Sequence, residues 1–117
     1  MKTFRFLDFP VYQEARQYYF VVIKISEQIK FRSLQSQIRR AALSVILNIA
    51  EGSAKFSDKE FRRFLETSIA SMNEVVACLD IMRNEKSISD PVYEKMTEKA
   101  ESIVKQLGGF IRKLRKG

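Results

Sequence analysis

From Phe61 to Met82 the chain repeats one pattern: Phe61, Leu65, Ser68, Met72, Val75, Leu79 and Met82 follow one another at alternating spacings of four and three. A helix built this way turns one apolar seam toward its neighbours over several turns and packs against them at a shallow crossing angle. The register has a defined start. Ser57-Asp58-Lys59-Glu60 is a capping box, in which the Ser hydroxyl and the Glu carboxylate each satisfy a backbone donor that the first turn leaves orphaned.

Three other segments carry a comparable stripe. Pro10 suits the first position of a helix with Asp8 or Phe9 near its cap, and Tyr12, Ala15, Tyr19, Val22, Ser26 and Ile29 follow at helical spacing until Lys30-Phe31-Arg32-Ser33 ends the run. A second helix is expected from about Ser33 to Glu51, with Gly52 as the left-handed residue beyond its end. Leu34, Ile38, Ala41 or Ala42, Val45 and Ile49 make one face of it, and Leu43, Ile46, Leu47 and Ala50 widen that face, so this helix is expected to be buried on most sides. One polar stripe remains on it: Gln37, Arg40, Ser44, Asn48 and Glu51. In the last segment Asp90 is expected to cap a helix that begins with Pro91 and carries Val92, Met96, Ala100, Ile103, Leu107, Phe110 and Leu114 on one face. Gly108-Gly109 within it implies either a bend or the close approach of another backbone.

Four amphipathic helices with short connections predict an all-α fold, an antiparallel up-down-up-down four-helix bundle. Residues 1–117 form one domain with a short N-terminal arm over residues 1–9, whose Phe4, Phe6 and Phe9 need a surface to dock on.

The same sequence narrows the chemistry. It has no His and a single Cys, Cys78, which lies in an apolar helical run and reads as a buried thiol. The commonest general base and the usual zinc ligands are therefore missing, and no phosphate-binding glycine loop or nucleophile elbow is present. No catalytic residue, cofactor or metal site is expected, and carboxylates such as Glu98 and Glu101 read as solvated charges. The start Met1-Lys2-Thr3-Phe4-Arg5-Phe6 is charged where a secretory leader is apolar, and the longest apolar run, Tyr18 to Ile23, is too short to span a bilayer. A soluble cytoplasmic protein is the expectation.

The formal charge is +7, which favours polyanionic partners. It is unevenly spread. Lys30, Arg32, Arg39, Arg40, Lys55, Lys59, Arg62 and Arg63 fall in one stretch, and Lys105, Arg112, Lys113, Arg115 and Lys116 close the chain, whereas the segment from Glu74 to Glu101 is net acidic. Arg39, Lys55, Lys59, Arg62, Arg63, Arg112, Lys113, Arg115 and Lys116 are the candidate nucleic-acid-binding residues. Those around the start of the third helix lie where the helix dipole and unpaired backbone donors attract an anion. In a bundle of this topology the ends of the second and fourth helices share that pole, and Arg39 is the residue furthest from it. The stripe Gln37, Arg40, Ser44, Asn48 and Glu51 is open to two readings, a polar network inside the bundle or a subunit interface.

Ser36-Gln37-Ile38-Arg39-Arg40-Ala41-Ala42-Leu43-Ser44, then Asn48-Ile49-Ala50-Glu51-Gly52, then Ser57 to Phe61 with Phe64 and Leu65, resembles the small four-helix-bundle proteins encoded in intervening sequences of bacterial 23S ribosomal RNA genes. Phe6, Phe9, Val11, Tyr12, Ala15 and Arg16 are similar to that family's opening segment. One departure is the absence of a proline midway through the second helix, where this chain has Val45-Ile46-Leu47, so the kink that proline implies is not carried over. The resemblance implies a ring-shaped homo-oligomer, a pentamer, like the accessory protein of diversity-generating retroelements, a relative that binds nucleic acid and a reverse transcriptase. Together these readings point to a non-enzymatic oligomeric accessory protein that binds RNA or DNA. The alternative is a scaffold or adaptor whose partner is another protein and whose basic charge is incidental.

Overall fold

The computed structural model of the protein describes residues 3–117; Met1 and Lys2, the first two residues of the charged start read above, lie outside the described residues. A single 3-10 turn at Arg5–Asp8 precedes four helices: α1 (Pro10–Ser26), α2 (Arg32–Ser53), α3 (Asp58–Asn84) and α4 (Asp90–Lys116). The result is the expected all-α four-helix bundle, 45 × 22 × 20 Å. Its neighbours run antiparallel, because residue numbers rise on one helix as they fall on the next. Between α2 and α3, Ser44 meets Ser71, Val45 meets Ser68 and Gly52 abuts Phe64. Between α1 and α4 the pairs are Glu14 with Gln106 and Tyr18 with Met96, and between α3 and α4 they are Arg62 with Leu114 and Arg83 with Tyr93.

The helix ends follow from local chemistry. Pro10 opens α1 with Phe9 as its cap. Ser57 Oγ accepts the Glu60 N–H at 3.1 Å at the start of α3, as the capping box requires. At α4 the cap sits one residue earlier than expected: Ser89 Oγ accepts the Val92 N–H at 3.3 Å, and Asp90 is already helical. The end of α3 closes in a Schellman motif, with Ser87 N–H donating to Met82 O at 3.0 Å, Lys86 N–H to Arg83 O at 3.1 Å, and Lys86 itself left-handed at φ 64°. α1 stops at Ser26, short of the apolar stripe's last member Ile29, because residues of α2 take over its terminal groups. Gln35 Nε2 donates to Ser26 O at 3.0 Å and Arg39 Nε donates to Ser26 Oγ at 2.7 Å. α2 is unbroken through Val45-Ile46-Leu47 and continues past its expected end to Ser53.

The core is the inner seam of all four helices. Val22, Ile38, Val45, Ile49, Phe61, Leu65, Met72, Val75, Leu79, Met82, Ile103 and Leu107 are almost wholly enclosed, and each such side chain contributes about 1.5–3 kcal/mol relative to exposure. Every position of the α3 stripe is buried, as its spacing predicts. Two seams are rotated from expectation. On α1 it is Tyr18, not Tyr19, that points inward, its hydroxyl donating to Met96 O at 2.9 Å. On α4 Ile111 is buried while Phe110 and Leu114 lie at the margin.

The two glycine readings fare differently, one overturned and the other losing one of its alternatives. Gly52 lies inside α2 with an ordinary negative φ, so it is no left-handed terminator. It is buried where α2 and α3 cross, and a Cβ built on it would stand 2.7 Å from Phe64 Cβ and 3.0 Å from Phe61 Cδ1. Gly108 and Gly109, conversely, have no backbone close by; Cβ atoms there would meet only the Arg112 guanidinium, at 3.6 and 3.7 Å, and α4 continues through them.

α2 is also less enclosed than its composition implies. Ile46 is buried, but Leu43 and Leu47 are 38% and 52% exposed on its outer face. The arm does find a dock within its own chain: Phe9 packs edge-on to Phe110 at 5.2 Å and Phe6 to Tyr12 at 4.9 Å, leaving Phe4 exposed.

Candidate nucleic-acid interface

Antiparallel packing brings the end of α2, the start of α3, the end of α4 and the N-terminal arm to one pole of the rod. Most of the cations marked in the sequence meet there. Lys59, Arg62, Arg63 and Arg115 border a shared hollow of about 190 Å³, with Glu66 as its acidic member. Arg62 is half-buried and donates through Nη1 to Leu114 O at 3.5 Å, so it ties α3 to the end of α4. Arg63, Lys59 and Arg115 are exposed. Lys55, in the connection between α2 and α3, holds its ammonium 4.9 Å from the centre of the Phe64 ring, a cation–π contact that steers it along α3. Arg112, Lys113 and Lys116 are exposed on the last turns of α4, where positive charge also complements the negative end of the helix dipole.

Arg39 stands apart. It lies fourteen residues before the end of α2, about 21 Å along the axis, and its guanidinium is engaged with Ser26 at the opposite pole. The sequence already marks Arg39 as the candidate furthest from the basic pole, and the tertiary contact makes it a residue that closes α1.

The start of α3 is not an open anion site either. Ser57 occupies one of its donors and Asp58 and Glu60 stand in the first turn, where their charge already complements the dipole. The positive charge that this pole presents is carried by side-chain cations, Lys59, Arg63 and Arg115 among them, and not by the helix terminus.

Two residues of the pole went unassigned in the sequence. Arg5 donates to Ser53 O at 3.1 Å and lies over the rings of Phe9 and Phe61 at 5.8 and 5.5 Å, clamping the arm to the end of α2. Phe56, between α2 and α3, belongs to no helical stripe and is fully exposed, at 108% of a reference residue. Its signal was negative: an aromatic residue in a short connection, outside every apolar register.

The polar stripe of α2 divides. Ser44 Oγ and Ser71 Oγ share a hydrogen bond of 2.8 Å, and Asn48 Nδ2 donates to Ser44 O and Ser44 Oγ at 2.8 and 3.0 Å, a half-buried network across the α2–α3 seam. Gln37, Arg40 and Glu51 are exposed, with Arg40 Nη2 donating to Gln37 Oε1 at 3.2 Å. Neither charge is buried within the chain, so neither demands an internal partner.

Among the described residues no cluster of three or more His, Cys, Asp or Glu side chains could hold a metal ion. Cys78 is buried, and burial followed by the nearby Glu74 charge pushes its thiol pKa up, away from nucleophilic thiolate. No described helix is long and apolar enough to cross a membrane.

The pattern of the family described as 23S rRNA-intervening sequence protein matches residues 7–109. A crystal structure of a protein with unknown function from the S23 ribosomal protein family of Bacteroides thetaiotaomicron superposes with a TM-score of 0.82 at 21% identity, covering 86% of this chain and 97% of that one. At that identity the likeness establishes the fold. No curated protein matches the chain.

Proposed function

Because the chain belongs to the 23S rRNA-intervening sequence protein family, we propose that it is a non-enzymatic accessory protein of the cytoplasm that binds RNA or DNA through its basic pole and works as a homo-oligomer, the ring of five that the resemblance implies. The observation that carries the reading is the convergence of Lys59, Arg63 and Arg115, from two different helices, on one exposed hollow. Cations gathered this way meet successive phosphates and release their condensed counterions, which a uniformly basic surface does less well.

Salt tests it. Binding of mixed-sequence RNA or DNA should weaken steeply between low and physiological ionic strength. Arg63→Glu with Arg115→Glu should lower affinity at least tenfold, about 1.4 kcal/mol, with helix content unchanged, since both side chains are exposed and Arg62 keeps its bond to Leu114. A folded double variant that binds as the parent does would overturn the reading.

The scaffold alternative draws on the exposed apolar residues Phe20, Phe31, Leu43, Leu47 and Ile81. A partner held there would be insensitive to salt, because burial of apolar surface carries no counterion release. The same residues support self-association, which removes them from water without a second protein.

A further inference from the structure

Phe56 lies outside the core and, among the described residues, packs on no neighbouring ring, whereas Phe61 and Phe64, both on α3, are packed against Gly52 of α2. An exposed Phe in the α2–α3 connection, flanked in sequence by Lys55 and Lys59 and at the pole that carries Arg63 and Arg115, can offer an aromatic face to a strand whose phosphates those cations hold. We propose that Phe56 is a base-stacking platform and that the basic pole selects unpaired, single-stranded nucleic acid over duplex. The proposal rests on the nucleic-acid reading above and specifies its ligand.

The physical argument is geometric. In a duplex the faces of the bases are covered by their neighbours, and a protein ring meets only edges and backbone. An unpaired base offers its π face to any aromatic side chain, with little dependence on its identity. A Phe ring has only two side-chain torsions to immobilise, so holding it against a base costs little order. The flanking cations supply the backbone contacts that hold the strand in place. A membrane surface is less well matched: one ring on a short turn offers far less apolar area than the amphipathic helix that interfacial binding usually needs.

The test uses the full chain with a labelled oligouridylate, a blunt RNA duplex of the same length, and anionic phosphatidylserine vesicles. Phe56→Ala should reduce affinity for the oligouridylate at least tenfold and leave duplex binding within twofold. Phe56→Trp should retain binding, and because the chain has no Trp of its own, its emission reports on that position alone and should be quenched by the oligouridylate. If the parent binds neither RNA, the nucleic-acid reading and this proposal fall together. If it binds both and Phe56→Ala changes neither, the stacking role alone is refuted. The proposal also falls if Phe56→Ala changes the oligomer mass in light scattering, which would make the ring a subunit contact, or if the Phe56→Trp emission answers to vesicles and not to RNA.

Discussion

Gly52 and Phe64 touch so closely that α2 and α3 could not cross where they do with any larger residue at position 52: a Cβ built there stands 2.7 Å from Phe64 Cβ. Both atoms are anchored directly to backbone, so no rotamer change relieves the overlap. Gly52→Ala should gain helix propensity yet lose more by forcing the helices apart, a net destabilisation of about 1–3 kcal/mol. Urea unfolding monitored by circular dichroism measures it, and an unchanged or raised midpoint would contradict the close-packing account.

Gly108 and Gly109 predict the opposite sign. Each would place its new Cβ in ordinary contact with the flexible end of Arg112 and nothing else. Gly108→Ala and Gly109→Ala should therefore each stabilise the protein by about 0.5–1 kcal/mol, through the conformational freedom removed from the unfolded chain. The same unfolding experiment serves, and destabilisation by either would show that the glycines are required where α1 and α4 face each other.

Tyr18 links stability to alkaline pH. Burial pushes its phenol pKa well above the usual value near 10, and the hydroxyl donates to Met96 O at 2.9 Å. The folded state therefore favours the protonated phenol. Its contribution is fully present below the unfolded pKa near 10 and is lost as pH rises beyond it. Thermal melts at increasing pH should show a fall in stability from about pH 10 upward. The fall should be smaller in Tyr18→Phe, which costs about 0.5–1.5 kcal/mol at neutral pH for the lost hydrogen bond.

Self-association should depend on the outer face of α2. Leu43 and Leu47 lie one turn apart there, exposed, with Arg40 and Glu51 beside them. Leu43→Glu with Leu47→Glu should change monomer stability by no more than about 0.5 kcal/mol per site, while light scattering should register a fall in mass toward 13.7 kDa. A parent protein already at that mass would remove the oligomer from the proposal.

What the residues determined by themselves is the number, order and approximate length of the helices and the inner face of α3. These follow from local periodicity and from caps such as Ser57 and Pro10, whose effects reach only a few residues along the chain. Gly52 was visible, but its purpose was not, because a close crossing depends on Phe61 and Phe64 arriving from another helix. Arg39 carried the same charge as its neighbours, and only the fold decided that it would bind Ser26 at one pole while Arg63 and Arg115 met at the other. Stripe patterns set which residues can face inward to within a fraction of a turn. Tertiary packing chose between Tyr18 and Tyr19, left Leu43 and Leu47 in solvent and stranded Phe56 at the basic pole, because side chains from four helices compete for one core and the available volume does not admit them all.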